Sequence, residues 1–110
     1  MKLSVVVPVL DEAPTLAAML AGLASLRAAG NEVIVVDGGS ADASASIAGL
    51  FADRVLHAPR GRAVQMNVGA SVATGEALLF LHADCTLPAG AGELIARALR
   101  DGAAWGRFDV

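Results

Sequence analysis

The feature that most limits what this chain can become is the run Leu3 to Val9, β-branched along most of its length and closed by Pro8. A run without polar alternation reads as a strand buried on both faces, which requires parallel neighbours and helices to cover them. The rest of the sequence supplies both. Pro14 suits the first turn of a helix, where its missing N–H is not needed, and Leu16, Met19, Leu20, Leu23 and Leu26 follow at helical spacing up to a stop at Gly30. Glu32 to Val36 repeats the buried-strand pattern, Asp37-Gly38-Gly39-Ser40 makes a tight turn, and a short helix continues to about Phe51. Val55 to His57 reads as a brief third strand. Arg60-Gly61-Arg62 leads into a third helix from about Ala63 to Ala73, ended by Thr74-Gly75, and Ala77 to His82 is a fourth strand. Leu94, Ile95, Ala98 and Leu99 mark a further helix closed by Gly102, and Ala104 to Val110 a fifth strand.

Strands alternating with helices through short turns imply right-handed crossovers and an α/β architecture with an open, mostly parallel sheet and flanking helices. In such sheets ligands bind at the carboxyl ends of the strands. Polar residues gather at those ends: Asp11 and Glu12 after the first strand, Asp37 and Ser40 after the second, Arg60 and Arg62 after the third, His82 and Asp84 after the fourth. Four loops are thereby expected to converge on one crevice. At 110 residues the chain fits one domain, and its 55% hydrophobic content argues against disorder. A net charge of −3 gives no basic stripe for nucleic acid. No run reaches the length of a membrane-spanning helix, and Met1 leads straight into a strand pattern rather than a leader peptide. Together with the lone Cys85, which cannot form an internal disulfide, this predicts a cytoplasmic location.

Three constellations could carry chemistry. In Val36-Asp37-Gly38-Gly39-Ser40-Ala41-Asp42, an Asp leaving a buried strand can accept hydrogen bonds from a nucleobase or ribose, while the glycines admit a ligand close to the backbone. Equally, the glycines make the turn and Ser40 or Asp42 caps the next helix. Neither a G-x-G-x-x-G fingerprint nor a Walker-type loop is present, which disfavours ordinary NAD or ATP phosphate binding. In Leu81-His82-Ala83-Asp84-Cys85, extended backbone would point His82 and Asp84 the same way. A carboxylate there can hold Mg²⁺ or Mn²⁺ against a substrate diphosphate. The alternatives are zinc on His82 and Cys85, which lacks repeated Cys/His spacing, and a turn in which Asp84 caps backbone N–H groups. In Arg60-Gly61-Arg62-Ala63-Val64-Gln65-Met66-Asn67, an arginine at a helix N-terminus opposes the macrodipole unless an anionic ligand lies nearby or water solvates it. Asn67 shares a helical face with Ala63 and Ala70 and is expected to point inward and satisfy a neighbouring loop. Cys85 has no activating base beside it in sequence, and His57 reads as a strand-end histidine.

Taken together and in this order, Pro8-Val9-Leu10-Asp11-Glu12, Val36 to Asp42, Gly61-Arg62-Ala63 with Asn67 and Gly69, and His82-Ala83-Asp84 resemble the donor half of family 2 glycosyltransferases of the GT-A fold. The segments Gly61 to Asn67, His82 to Cys85 and Trp105 to Val110 are similar to one subgroup, the family 2-like transferases found beside radical-SAM or selenium-related proteins. The resemblance implies a Rossmann-like nucleotide-binding half that takes a nucleoside-diphosphate sugar. Pro8, Val9, Leu10, Glu12 and Asp37 would line the nucleoside pocket and Arg62 would lie near the base. Ser40, Asn67, His82 and Ala83 complete the implied donor site, and Asp84 would bind Mg²⁺ or Mn²⁺ as the final acid of a D-x-D motif. His82 stands where the family usually has an acid.

By the same resemblance, the sugar is transferred with inversion to an acceptor that the sequence does not name. The metal stabilises the leaving diphosphate, and a carboxylate base lies downstream of Val110. The chain is accordingly expected to be a donor-binding domain cut before its acceptor half and inactive alone. The alternative is a non-catalytic nucleotide or nucleotide-sugar binding module. A final strand at 104–110 with Trp105 and Phe108 uncovered also predicts homo-oligomers through that segment.

Overall fold

The valine-rich first strand, β1 (Leu3–Val9), sits inside a sheet that has four strands among the described residues. The computed structural model describes residues 2–83. Asp84, Cys85, the expected helix around Leu94 to Leu99 and the 104–110 segment lie outside the described residues. The chain order is β1, α1 (Ala13–Ala21), α2 (Ala24–Ala28), β2 (Glu32–Asp37), α3 (Ser44–Phe51), β3 (Arg54–His57), α4 (Arg62–Val72) and β4 (Ala77–Phe80). The sheet order is β3-β2-β1-β4, and every pairing is parallel. β1 and β2 are therefore central, which is why their side chains are buried almost without exception.

Period-two alternation splits the core into two layers. Leu3, Val5, Val7 and Val9 join Val33 and Val35 beneath α1, α2 and α3, packed with Leu16, Leu20, Leu23 and Leu26. Val6, Ile34 and Val36 face the other way, toward Val68 and Val72 of α4. The contact on that side is unusually close because Gly69 stands over the sheet. A Cβ there would overlap Val6 Cγ1 and lie 3.1 Å from Val36 Cγ2. Among the described residues no helix is long and apolar enough to cross a membrane.

The single helix expected from Leu16 to Leu26 is two. The first turn holds Pro14 as the sequence predicts. The helix then breaks at Gly22 and Leu23, where Leu23 N–H bonds back to Leu20 O over three residues rather than four. Glycine lacks the helix propensity to resist such a break, and the change of direction lets both Leu23 and Leu26 reach the core.

At the amino edge of the sheet, Glu32 is buried but well supplied with donors. Its Oε1 accepts from Ser4 Oγ (2.6 Å), Thr74 N–H (2.6 Å) and Thr74 Oγ1 (3.1 Å), and Ser4 Oγ accepts from Gly75 N–H (2.8 Å). Burial by itself would raise the Glu32 pKa, but the Ser4 and Thr74 hydrogen bonds and the Lys2 charge outweigh it and hold the group below its ordinary value. Asp53 behaves alike: burial is outweighed by Val33 N–H and by Arg27, whose guanidinium lies 3.0 Å away. A carboxyl whose folded value lies below its unfolded value contributes stability that is complete above the unfolded value and is lost as pH falls through the folded one. Urea midpoints should therefore hold steady from neutral pH down to about 5 and fall below about 4.

Candidate functional site

The crevice begins where β1 and β4 part. Leu81 N–H donates to Val6 O (3.1 Å). Pro8, two residues on and turned to the same edge, has no N–H with which to continue the ladder. From Pro8 onward the described parts of the two strands are unpaired, at the switch point of a 3-2-1-4 sheet, the place where such folds open a binding crevice. A cleft of ≈ 270 Å³ lies there, lined by Pro8, Val9, Leu10, Glu12, Arg60, Gly61, Arg62 and Gln65. A smaller cavity of ≈ 100 Å³ shares Pro8 and Arg62 and adds Met66, Phe80, Leu81 and His82.

Among the described residues the cleft is cationic: Arg60 and Arg62 stand against one carboxylate, Glu12, and the first turn of α4 carries no acidic residue and no side-chain cap. No acidic side chain of the first turn of α4 itself offsets the positive end of its dipole at the cleft wall.

The N-terminus of α1 offers the opposite case, because side chains of the β2–α3 loop and of the first residue of α3 already accept from the N–H groups there. Asp11 N–H donates to Ser40 Oγ (2.9 Å), Glu12 N–H to Ser44 Oγ (2.9 Å) and Ala13 N–H to Asp42 Oδ2 (3.2 Å), while Ala41 N–H donates back to Asp11 Oδ1 (2.7 Å). The two loops are stitched together, with Asp11 in the left-handed region at φ 51. The chemistry of this loop pair resides in its side-chain oxygens rather than in a phosphate-cradling backbone.

Of the residues singled out in the sequence, Pro8, Val9, Leu10, Glu12 and Arg62 share the larger cleft, and His82 lines the adjoining cavity with Pro8 and Arg62. Asp37, Ser40 and Ala83 line neither. Asp37 is 3% exposed, and its Oδ2 accepts from Gly39 N–H (3.1 Å) and Ser40 N–H (2.9 Å), while Oδ1 accepts from the Ser40 hydroxyl. Burial would raise its pKa, but these bonds and His57 Nδ1 at 3.8 Å hold it below its ordinary value. Asp42 accepts from Ser44 N–H (2.9 Å) at the start of α3, but the cap position itself is Ala43. Asn67 departs from expectation. It is exposed on α4 rather than turned inward, because the helix packs through Gln65, Val68, Gly69 and Val72 instead of Ala63, Asn67 and Ala70.

The buried amide of this helix is Gln65, which the sequence reading passed over. The 65, 68, 69, 72 spacing was available as a signal, but the small alanines on the opposite face made the two faces look alike. Asp84, the expected metal ligand, lies outside the described residues, and among those described no three His, Cys, Asp or Glu side chains converge. A hard cation that completes its shell from a diphosphate and water needs only one or two protein carboxylates. A site of that kind is compatible with the cleft, whereas an all-protein cage is not found among the described residues.

An all-parallel 3-2-1-4 sheet with a cationic crevice at its carboxyl edge defines a Rossmann-like α/β domain. More particularly, the chain belongs to glycosyl transferase family 2, whose pattern matches residues 4–110. It is 37% identical over 91 residues to a PGL/p-HBAD biosynthesis glycosyltransferase of Mycobacterium tuberculosis, in an alignment taking in 76% of this chain and 36% of that protein. The chain spans about a third of the length of the curated relatives it matches. Its fold is that of the GT-A glycosyltransferases. S. aureus TarS in complex with UDP-GlcNAc superposes with a TM-score of 0.78 at 25% identity, covering 92% of this chain and 32% of that one. The mannosyltransferase PcManGT of Pyrobaculum calidifontis, in complex with GDP-Man and Mn²⁺, gives 0.74 at 28% identity, covering 89% and 31%.

Proposed function

We propose that this chain is the donor-binding part of an inverting glycosyltransferase that takes a nucleoside-diphosphate sugar together with a divalent cation. The observation that carries this reading is the convergence of Pro8, Val9, Leu10, Glu12 and Arg62 on one cationic cleft at the switch point. The turn from Pro8 to Glu12 forms one wall against the nucleoside. Arg62 stands on the opposite wall with Arg60, placed to meet the base or the charge of the diphosphate. Phe80, the last residue of β4, and His82 beyond it extend the site into the smaller cavity, and we assign Asp84 to the cation. The cation supplies stabilisation of the leaving diphosphate. The acceptor site and the general base belong to sequence beyond this donor part. Similarity of Gly61 to Asn67 and His82 to Cys85 to the radical-SAM-associated subgroup supports membership there, and the lone Cys85 suits the cytoplasm.

Calorimetric titration with UDP and GDP, with Mn²⁺ and then with EDTA, tests the reading. Binding should need the cation, and Arg62→Ala should weaken it by about ten-fold or more, as expected for loss of one charged hydrogen bond. Equal affinity in EDTA would remove the cation from the site, and no binding of either diphosphate would remove the donor site itself.

A further inference from the structure

Gln65 lies within the Gly61 to Asn67 segment without a role assigned to it there, yet it makes three hydrogen bonds at the edge of the cleft. It is 3% exposed. Its Nε2 donates to Val9 O (3.0 Å) and to Val36 O (2.9 Å), and its Oε1 accepts from Gly61 N–H (3.2 Å). Val9 is the last residue of β1, Val36 the last but one of β2, and Gly61 immediately precedes α4. One amide therefore joins the carboxyl ends of the paired strands β1 and β2 to the turn that opens α4. The seat is tight: a Cβ on Gly38 would lie 2.7 Å from Oε1.

Only a primary amide offers two donors and an acceptor in one plane. A carboxylate would set one acceptor oxygen against two carbonyl oxygens, and an apolar side chain would remove all three bonds.

The geometry points to Gln65 as a positioning residue that fixes the spacing of the cleft walls and, through it, the affinity for a nucleoside diphosphate. The inference rests on the donor-site reading above. Both amide hydrogens are committed to the protein, so Gln65 acts on a ligand through the segments it ties together. On one side these are Val9 and Leu10, on the other Gly61 and Arg62, all four of which line the cleft. Binding of a ligand that touches both walls depends on their being held in place beforehand.

The test uses the full chain with two readouts, amide hydrogen exchange without ligand and titration with UDP and Mn²⁺. Gln65→Met keeps the volume and removes the hydrogen bonds, and Gln65→Glu keeps the shape and reverses the polarity. Ser71→Ala, on the exposed far end of α4, is the control. We expect Gln65→Met to fold, to exchange the Gly61 amide about ten-fold faster or more while the amides of central β2 keep their protection, and to bind UDP about ten-fold more weakly or worse. Gln65→Glu should repeat both effects at pH 7 and carries the test if Gln65→Met fails to fold. Unchanged exchange, or a destabilised variant whose folded fraction binds UDP as tightly as the parent, would overturn the inference by reducing Gln65 to a core residue. If the parent protein binds no nucleoside diphosphate, the donor-site reading fails and the link to affinity falls with it. The exchange result then decides separately whether Gln65 holds the walls.

Discussion

Gly69→Ala should lower the stability of this protein by about 1–3 kcal/mol, although an alanine in mid-helix is ordinarily a gain. The new Cβ would overlap Val6 Cγ1 and press on Val36 Cγ2, and both valines are fully buried in the two central strands. Neither can swing aside as a lysine tip would, since valine is stiff at χ1 and the strands are paired on both edges. The helix must lift instead. Because α4 also carries Arg62 and Gln65, the displacement should reach the cleft, and UDP affinity should fall with the urea midpoint. Gly49→Ala gives the contrasting result. That position, in α3, has nothing within 4 Å of the added Cβ, so the same change should stabilise by about 0.5–1 kcal/mol. Equal effects at the two positions would mean that α4 does not rest on Gly69.

Asp37→Ala should cost about 2–4 kcal/mol and also weaken nucleotide binding, because the carboxylate holds the turn by three hydrogen bonds, one of them to the Ser40 hydroxyl. Ser40 in turn accepts the Asp11 N–H, so loss of Asp37 loosens the stitched loops beside the cleft. Asp37→Asn keeps one carbonyl oxygen but sets an NH₂ toward donors, and should fall between the two. Unfolding and calorimetry on the same samples separate two routes. A fall in affinity that tracks the fall in stability places Asp37 behind the turn. A fall in affinity at unchanged stability would place its carboxylate on the ligand.

The two central strands could be read from sequence because burial on both faces leaves a plain mark: Leu3 to Val9 matches β1, and Glu32 to Val36 needs one more residue to match β2. The fourth strand is harder, since Leu81 and His82 remain apolar or extended in character while pairing stops near Pro8, an event set by the neighbouring strand. The helix break at Gly22 has the same origin, in that propensity permits it and tertiary packing decides it. In the site, the convergence of Pro8 to Glu12 with Arg62 follows from topology alone. The facing of α4 does not. Ala63 and Ala70 are too small to mark a buried side, and what turns the helix is the space that Gly69 leaves over Val6. Asp37 was legible as a strand-end acid, but which partners would consume its lone pairs depended on the Gly39 and Ser40 amides curling back toward it.

The Glu32 latch at the amino edge also bears on the order in which the sheet assembles. Ser4 meets Glu32 across 28 positions of sequence, whereas Gly75 meets Ser4 across 71. Closing the longer loop costs about 0.8 kcal/mol more in chain entropy, so β1 and β2 are favoured to pair before β4 is captured. Glu32 is in place from the first event, and its carboxylate then receives Thr74 as the incoming strand arrives. The half of the crevice bounded by Phe80 and His82 is on this account the last surface to be completed. A nucleotide that bound across it, as proposed above, would recognise the finished sheet and contribute nothing to the earlier steps, so it would retard unfolding while leaving the folding rate where it was.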